Sequence, residues 1–406
     1  MSYRKEPAAA AFAAVVLWAS IAGAQVSDGV IKLGVLNDRS GLYADISGQG
    51  SVVAAQMAVE DFGAAAKGLK VEIVAADHQN KADVGSNIAR QWLDVDKVDV
   101  IVDVPTSSVA LAVNDIVREK NKVFLSSGTG SSDLTGKACS PNTVHWTYDT
   151  WALANGTGKA IVQTGGDTWF FIVADYAFGQ ALERDTAAVV TASGGKVLGA
   201  LRHPLNTGDF SSYLLQAQSS GAKIIGLANA GSDVTNAIKQ ASEFGIVQGG
   251  QNLAGLLVFI TDVHAIGLQA AQGLIITEAF YWDLNDATRA WSKRFAERNA
   301  GKYPSMVQAG VYASILDYLK AVEALKTDDG VKVVAEMKQL PTDDPLFGKG
   351  TIRADGRKIH DMYLFEVKKP AESKAPYDYY KIRATIPAAE AFRPLDQGNC
   401  PLVSKG

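Results

Sequence analysis

Short apolar runs alternate with amphipathic segments along the first third of the chain. The apolar runs are four to six residues long, which suits buried strands. The segments between them place apolar residues at helical spacing, as at Val52, Ala55, Val59 and Phe62. This pattern predicts strands at 31–36, 70–75, 100–104 and 122–125 and helices at 51–62, 83–93 and 109–120. Such alternation is typical of a parallel, doubly wound sheet.

The alternation breaks at an extended aromatic stretch, residues 141–148, and then starts again. The second run predicts helices at 151–163, 180–192, 210–219 and 232–244 and strands at 169–173, 196–201, 223–228 and 253–260. Beyond a further change of pattern at 278–283, the sequence predicts helices at 287–299, 305–325 and 331–340 and β-strands within 351–386. The predicted fold class is therefore α/β, with two doubly wound parallel-sheet lobes hinged around a cleft. We assign 27–147 and 280–350 to the N-terminal lobe and 148–279 and 351–406 to the C-terminal lobe.

The segment 100–133 reads as strand, turn, helix, strand and turn. A right-handed crossover places its two strands side by side, so the turns at 105–108 and 126–133 face each other at one sheet edge. Both turns are rich in hydroxyls and backbone N–H groups and contain no Lys or Arg. They therefore predict a cradle that binds a small anion through dipoles, at the strand ends where such sheets bind ligands.

Residues 1–24 have the features of a cleaved secretory signal. Arg4 and Lys5 precede an apolar run at 8–21, which ends in Ala22-Gly23-Ala24. A membrane anchor is the alternative, but the run is short for a bilayer span. Gln25 stands where a lipid-anchored exported protein needs Cys. We therefore predict a protein that diffuses freely in the periplasm.

The net charge of −4 at pH 7 is mild and argues against nucleic acid or an anionic membrane as a partner. The chain has two cysteines, Cys139 and Cys400. An even pair in an oxidising compartment predicts a disulfide that ties the tail to the region after the second turn. Two buried free thiols are the alternative.

Catalytic and cofactor motifs are weak in this sequence. The five histidines have no metal-ligand spacing, and Gly128-Thr129-Gly130 lacks the third glycine of a dinucleotide site. Asp77, His78 and Ser107 form a hydrolytic triad only if they meet in space, and a turn that caps the next helix is the simpler interpretation. We predict no enzyme activity, no cofactor and no metal, with an exported hydrolase of a small amide or ester as the alternative.

A set of fragments spread over nearly the whole mature chain resembles the periplasmic leucine/isoleucine/valine-binding proteins of ABC importers. The fragments are 31–36, 40–43, Gly50 with 58–60, 104–113, 126–135, 175–179 and 271–274. The resemblance implies a type I periplasmic binding protein, with two lobes joined by three crossing segments that close over a ligand. It also implies delivery of the ligand to the transmembrane subunits of an ABC permease, and we expect a monomer.

The resemblance also implies roles for individual residues. The ligand carboxylate is held by Ser107 and by the second turn, with Ser127, Gly128, Thr129 and Ser131. Helix capping is the alternative role for these hydroxyls. Asp262 either pairs with a ligand ammonium group or caps the helix that follows it. Phe178, with Tyr176 beside it, occupies an aromatic position, whereas Ala230 and Gly231 after Asn229 lack the ring expected there.

Aromatic residues crowd the predicted cleft, and Tyr43, Tyr148 and Tyr176 lie at turns where they can contact a ligand. Rings that line a cleft favour planar or bulky apolar ligands. The missing ring after Asn229 changes the pocket expected for a branched aliphatic side chain. The predicted ligand is therefore a small carboxylate: a branched or aromatic amino acid, or an aromatic acid.

Overall fold

The computed structural model describes Met1 and residues 26–403. The predicted signal peptide, apart from Met1, lies outside the described residues. Two parallel sheets form the centres of two α/β lobes, which is the predicted fold class. Among the described residues, we find no helix with the length and apolar character needed to span a bilayer.

The first sheet has five parallel strands in the order β2-β1-β3-β4-β5. Successive residues of β3 point to opposite faces: Val100 and Val102 join one apolar cluster and Ile101 joins another. Helices cover both faces, so the strands are buried on both sides. The elements are β1 Ile31–Asn37, α1 Gly48–Phe62, β2 Val71–Asp77, α2 Ala82–Asp94, β3 Val100–Asp103, α3 Ser107–Glu119, β4 Val123–Ser126 and β5 Thr143–His145.

The second sheet has four parallel strands in the order β7-β6-β8-β9. Its elements are α4 Thr150–Leu153, a π-helical turn Ala154–Gly158, α5 Lys159–Gln163, β6 Thr168–Ala174, α6 Ala177–Ala192, β7 Lys196–His203, α7 Ser211–Ser219, β8 Ile224–Ala228, α8 Ser232–Glu243, β9 Asn252–Gly255, α9 Ile260–Ile266 and α10 Leu268–Ala271. The strand predicted at 253–260 ends early. Asp262 accepts a hydrogen bond from the Phe259 N–H and starts a helix there.

The last third of the chain returns to the first lobe before it completes the second. Its elements are β10 Ile275–Glu278, α11 Asp286–Arg298, α12 Met306–Leu325, α13 Gly330–Gln339, β11 Thr342–Asp344, β12 Gly348–Ile352, β13 Lys358–Ile359, β14 Met362–Val367, β15 Tyr380–Ile386 and α14 Ala388–Ala391. The α12 helix is buried along most of its length and packs on α1. Strands β10, β14 and β15 form an antiparallel sheet that packs with the second lobe.

The tail after β15 runs back to the first lobe. Cys139 and Cys400 form a disulfide with a Cα–Cα distance of 5.6 Å, which confirms the predicted pairing. Arg393 donates to the carbonyl of Ser132. The backbone of Arg357 forms an isolated parallel β-bridge with that of His145, at the edge of the first sheet. The lobe boundaries drawn from the sequence stay a prediction. These contacts put residues 357–358 and the tail beside the first lobe, whereas that division assigned them to the second.

Candidate ligand-binding site

The two turns of the central βαβ unit lie side by side. The Ser131 N–H donates to Ser107 Oγ at 3.1 Å, and Thr129 Oγ1 donates to the Val104 carbonyl at 2.7 Å. Ser107, Thr129 and Ser131 are all fully buried. The right-handed crossover through α3 therefore brings the turns together as predicted from the sequence.

Helix capping explains some of these hydroxyls and not others. Thr106 is the N-cap of α3, and Ser107 is its first helical residue, with its hydroxyl facing the other turn. Ser131 does act as a cap, because its Oγ accepts from the Asp133 N–H at 3.3 Å. Thr129 is not a helix cap, because its hydroxyl donates to the Val104 carbonyl.

Several backbone donors at these turns lack an acceptor in the described part of the chain. They are the amide N–H groups of Ser107, Ser108, Thr129 and Gly130. The first two belong to the N-terminus of α3, where helix geometry leaves N–H groups unpaired and the helix dipole favours negative charge. An anion is the complement of such a donor set.

A small cavity lies between the lobes, next to the first of these turns. Its accessible volume is about 10 Å³, room for about one water molecule and far below the roughly 300–1,000 Å³ typical of pockets for drug-sized ligands. No charged residue lines it. The lining residues are Tyr43, Ile46, Pro105, Tyr148, Tyr176, Phe178, Ala230 and Leu257. Four of the predicted site residues, all aromatic, are therefore brought together.

Tyrosine hydroxyls provide the polar groups of this apolar wall. Tyr43 from the first lobe and Tyr176 from the second share a hydrogen bond between their hydroxyls. Tyr148 donates to the carbonyl of Gly128 at 2.7 Å, which connects the wall to the second turn. Burial raises the pKa of Tyr43, Tyr148 and Tyr176, so all three rings are neutral at physiological pH.

The lobes also meet on either side of the cavity. On one side the Ser232 N–H donates to the Leu42 carbonyl at 3.3 Å. On the other side, Ser132 Oγ donates to Asp185 at 2.6 Å and Arg184 pairs with Asp133 at 3.0 Å. The two lobes therefore meet through polar contacts as well as through the cavity wall.

Seven of the eleven predicted residues do not line the cavity: Ser107, Ser127, Gly128, Thr129, Ser131, Asn229 and Asp262. Asn229 Nδ2 lies 3.1 Å from His203 Nε2, and Ser127 Oγ contacts Asp103 at 3.5 Å. Asp262 holds the start of α9 through the Phe259 N–H at 2.9 Å, as the capping alternative proposed. It also lines a separate groove between the lobes with Asp45. Burial raises the pKa of Asp262 to about 7.

The cavity includes residues that sequence reasoning did not select. Pro105 was placed in a turn but given no contact role, and Ile46 lies within the long turn 37–50. Leu257 belongs to the segment predicted as strand, so its position after the end of β9 was not foreseen. Apolar residues in turns that follow strands were the one available signal.

The proposed hydrolytic triad is not assembled. His78 Nδ1 accepts from the Asn80 N–H at 3.0 Å, Asp77 accepts from Ser40, and Ser107 accepts from Ser131, so no two of the three share a hydrogen bond. Burial lowers the pKa of His78 to about 4. Among the described residues, no group of three or more His, Cys, Asp or Glu side chains has the geometry of a metal site.

Comparison with known proteins gives a consistent result. A family model described as periplasmic binding protein matches residues 30–374. The crystal structure of a periplasmic binding protein from Burkholderia mallei is 52% identical, with a TM-score of 0.90, and the match covers 93% of this chain and 100% of the other. A branched chain amino acid ABC transporter periplasmic ligand-binding protein from Burkholderia xenovorans LB400 is 41% identical, with a TM-score of 0.81 and coverage of 92% and 99%.

A curated relative is more distant. The Leu/Ile/Val-binding protein homolog 6 of Brucella melitensis is 26% identical over 372 residues, which are 88% of this chain and 93% of the relative. The similarity therefore extends over both lobes rather than over one motif.

Proposed function

The chain belongs to the periplasmic binding protein family, and from this premise we propose that it closes on a small carboxylate and delivers it to the permease of an ABC importer. The observation that carries the proposal is the aromatic cavity between the lobes, beside two turns with unpaired backbone N–H groups. A binding protein holds its ligand between two lobes, and residues of both lobes line this small cavity. The function is capture and release, with no chemical step.

The unpaired backbone N–H groups are the reason for proposing a carboxylate on the ligand. Unpaired amides at the N-terminus of α3 and at Thr129 and Gly130 can each donate to an oxygen. No Lys or Arg lines the cavity, so a monoanion is better matched than a phosphate with two charges. Ser107 Oγ, already beside the second turn, can turn its own proton toward the ligand.

The rest of the ligand is apolar and small. Tyr43, Tyr148, Tyr176 and Phe178 offer ring faces and edges, which suit a single aromatic ring or a branched aliphatic chain. The names of the Burkholderia xenovorans and Brucella relatives support a branched-chain amino acid. The position of Asp262 outside the cavity lining instead favours an acid without an ammonium group. We propose an aromatic monocarboxylate first and a branched or aromatic amino acid second.

A panel of ligands tests the function directly. Benzoate-like and cinnamate-like acids, branched and aromatic amino acids and short amides are scanned for a rise in melting temperature, followed by calorimetry. A ligand that binds only the folded protein raises the melting temperature with its concentration. Chromatography of the same samples must show unchanged ligand. Conversion of an amide or ester to its acid favours the hydrolase alternative instead.

We expect Ser107→Ala to weaken the best carboxylate by about tenfold to a hundredfold, because one charge-assisted hydrogen bond is lost. Calorimetry on the variant and on the native protein measures this ratio. Ser211→Ala is the matched control, since Ser211 begins α7 of the second lobe as Ser107 begins α3. Equal affinity in the Ser107 variant removes its hydroxyl from the site.

We expect Asp262→Asn to weaken only a ligand that carries an amine. Its carboxylate attracts an ammonium group, and because burial raises its pKa to about 7, that attraction strengthens as the pH rises through 7 and the carboxylate ionises. Titrations of phenylalanine and of benzoate at pH 6 and pH 8 measure the difference. A similar loss for both ligands contradicts an ammonium role and leaves the capping role at Phe259.

A further inference from the structure

We propose that Asp103 is the positioning residue of this site: its buried carboxylate holds three turns in the arrangement that aims their donors at the ligand carboxylate. This role rests on the proposed function. Asp103 ends β3, directly before the turn that leads to Ser107, and it is fully buried. It does not line the cavity, so it acts through other residues.

One carboxylate joins the turns that follow three strands of the first sheet. Oδ2 accepts from Asn37 Nδ2 at 3.1 Å and from Ser47 Oγ at 2.7 Å, both on the segment that ends β1 and leads to α1. Oδ1 accepts from Ser127 Oγ at 3.5 Å, in the turn after β4. Asp103 itself supplies the turn after β3. The loops that surround the proposed anion site are therefore tied to a single side chain.

The backbone at this point has an unusual conformation. Asp103 and Val104 have φ of +83° and +54°, in the left-handed region. A β-branched residue such as Val rarely adopts it, and such residues persist where the surrounding structure holds them. Three contacts do so here: Val104 N–H to the Leu36 carbonyl, Thr129 Oγ1 to the Val104 carbonyl, and Gly128 N–H to the Asp103 carbonyl. Because this dipeptide precedes Pro105, its conformation sets where α3 begins.

The second turn packs directly on the same carboxylate. A Cβ added to Gly128 would lie 2.6 Å from Asp103 Oδ1 and 2.9 Å from Pro105 Cα. Only glycine fits this close approach without movement of one turn against the other. The distance between the Ser107 and Thr129 amides is thus set by the contact of Gly128 with Asp103 and Pro105.

The partners of Asp103 distinguish it from an ordinary buried ion pair. Asp99, directly before the start of β3, pairs with Lys122 at 2.6 Å. In the described part of the chain, Asp103 has no cationic partner, and the side chains that donate to it are neutral. A buried carboxylate without a counter-charge is unfavourable, and here three neutral donors, Asn37, Ser47 and Ser127, take the place of a cation.

Two variants at this position separate the carboxylate from the backbone. Asp103→Gly removes the acceptor but suits a positive φ, and Asp103→Asn keeps the shape and tolerates that φ while replacing one acceptor oxygen with a donor. Asp99→Asn is the control, a buried aspartate directly before β3, at the sheet edge opposite the site. Calorimetry measures the affinity of each protein for benzoate or leucine, whichever the native protein binds more tightly, and for benzamide or leucinamide, in which an uncharged amide replaces the carboxylate.

We expect both Asp103 variants to lose about tenfold or more in carboxylate affinity and to lose most of the preference for carboxylate over amide, because misplaced donors discriminate less. The Asp99 variant should keep that preference. Gly128→Ala should reproduce the loss of carboxylate affinity and preference while every polar group stays in place. This variant tests the proposal if an Asp103 variant fails to fold.

Unchanged preference in Asp103→Gly overturns the positioning role, as does an equal loss for carboxylate and amide, which indicates general loosening. If the native protein binds no carboxylate in the panel, the proposed function itself fails, and the role of Asp103 falls with it. The two failures are therefore distinguishable.

Discussion

Replacement of Cys139 and Cys400 by alanine is expected to lower the free energy of unfolding by about 5 kcal/mol, because the bridge closes a very long loop in the unfolded chain. The two residues are 261 positions apart, and both side chains are buried. Most of the stabilisation therefore comes from restricting the unfolded state. Urea unfolding followed by circular dichroism measures the difference between the variant and the native protein.

Reduction of the native protein with dithiothreitol is the control for the substitution itself. It removes the same covalent link but leaves both side chains, so its effect should approach that of the double alanine variant. The disulfide does not line the cavity, so we expect ligand affinity at 20 °C to change little. A loss of stability below about 1 kcal/mol would contradict the expected loop effect.

A second large effect is expected from Gly231→Ala, which should weaken ligand binding by about 100-fold or more. Gly231 has φ of +59° and lies where the second lobe meets the first. An added Cβ would overlap the carbonyl oxygen of Leu42 and lie 2.9 Å from the Tyr43 ring. A backbone carbonyl cannot rotate aside as a side chain can, so closure is blocked while each lobe remains folded. Calorimetry with the best ligand of the panel measures the loss.

Gly245→Ala is the control that distinguishes the steric block of lobe closure from the backbone strain of a side chain at positive φ. Gly245 has a similar φ of +64° and lies just beyond the other end of α8, but its nearest neighbour is a flexible glutamine side chain at 3.8 Å. We expect this control to lose a little stability and no affinity. If both variants bind equally well, the contact between Gly231 and Leu42 does not belong to the ligand-bound form.

Much of the fold could be predicted because the signals are local. The runs at 100–104 and 122–125 are apolar enough to be buried on both faces, and the crossover rule then requires their turns to be neighbours. The neighbouring positions of the two turns follow from those two facts, and the hydrogen bond between Ser131 and Ser107 shows them. The disulfide was predictable from the count of cysteines and the expected compartment.

The rest depends on contacts between distant segments. The apolar run around Leu257 does not show where the strand ends and the next helix begins. That boundary is set by Asp262, whose side chain accepts a hydrogen bond from the Phe259 N–H. The left-handed conformation of Asp103 and Val104 depends on Leu36, Gly128 and Thr129, which are far from them in sequence. Isolated residues such as Ile46 enter the cavity only when the second lobe is in place.

The interleaved chain path has a consequence for biosynthesis. The α1 helix, near the start of the chain, packs on α12, whose residues leave the ribosome only after the entire second sheet has been made. The nascent first lobe must therefore wait with an uncovered apolar face until α12 is made. A holdase chaperone that shields α1 until Met306–Leu325 arrives should improve the yield of correctly assembled molecules.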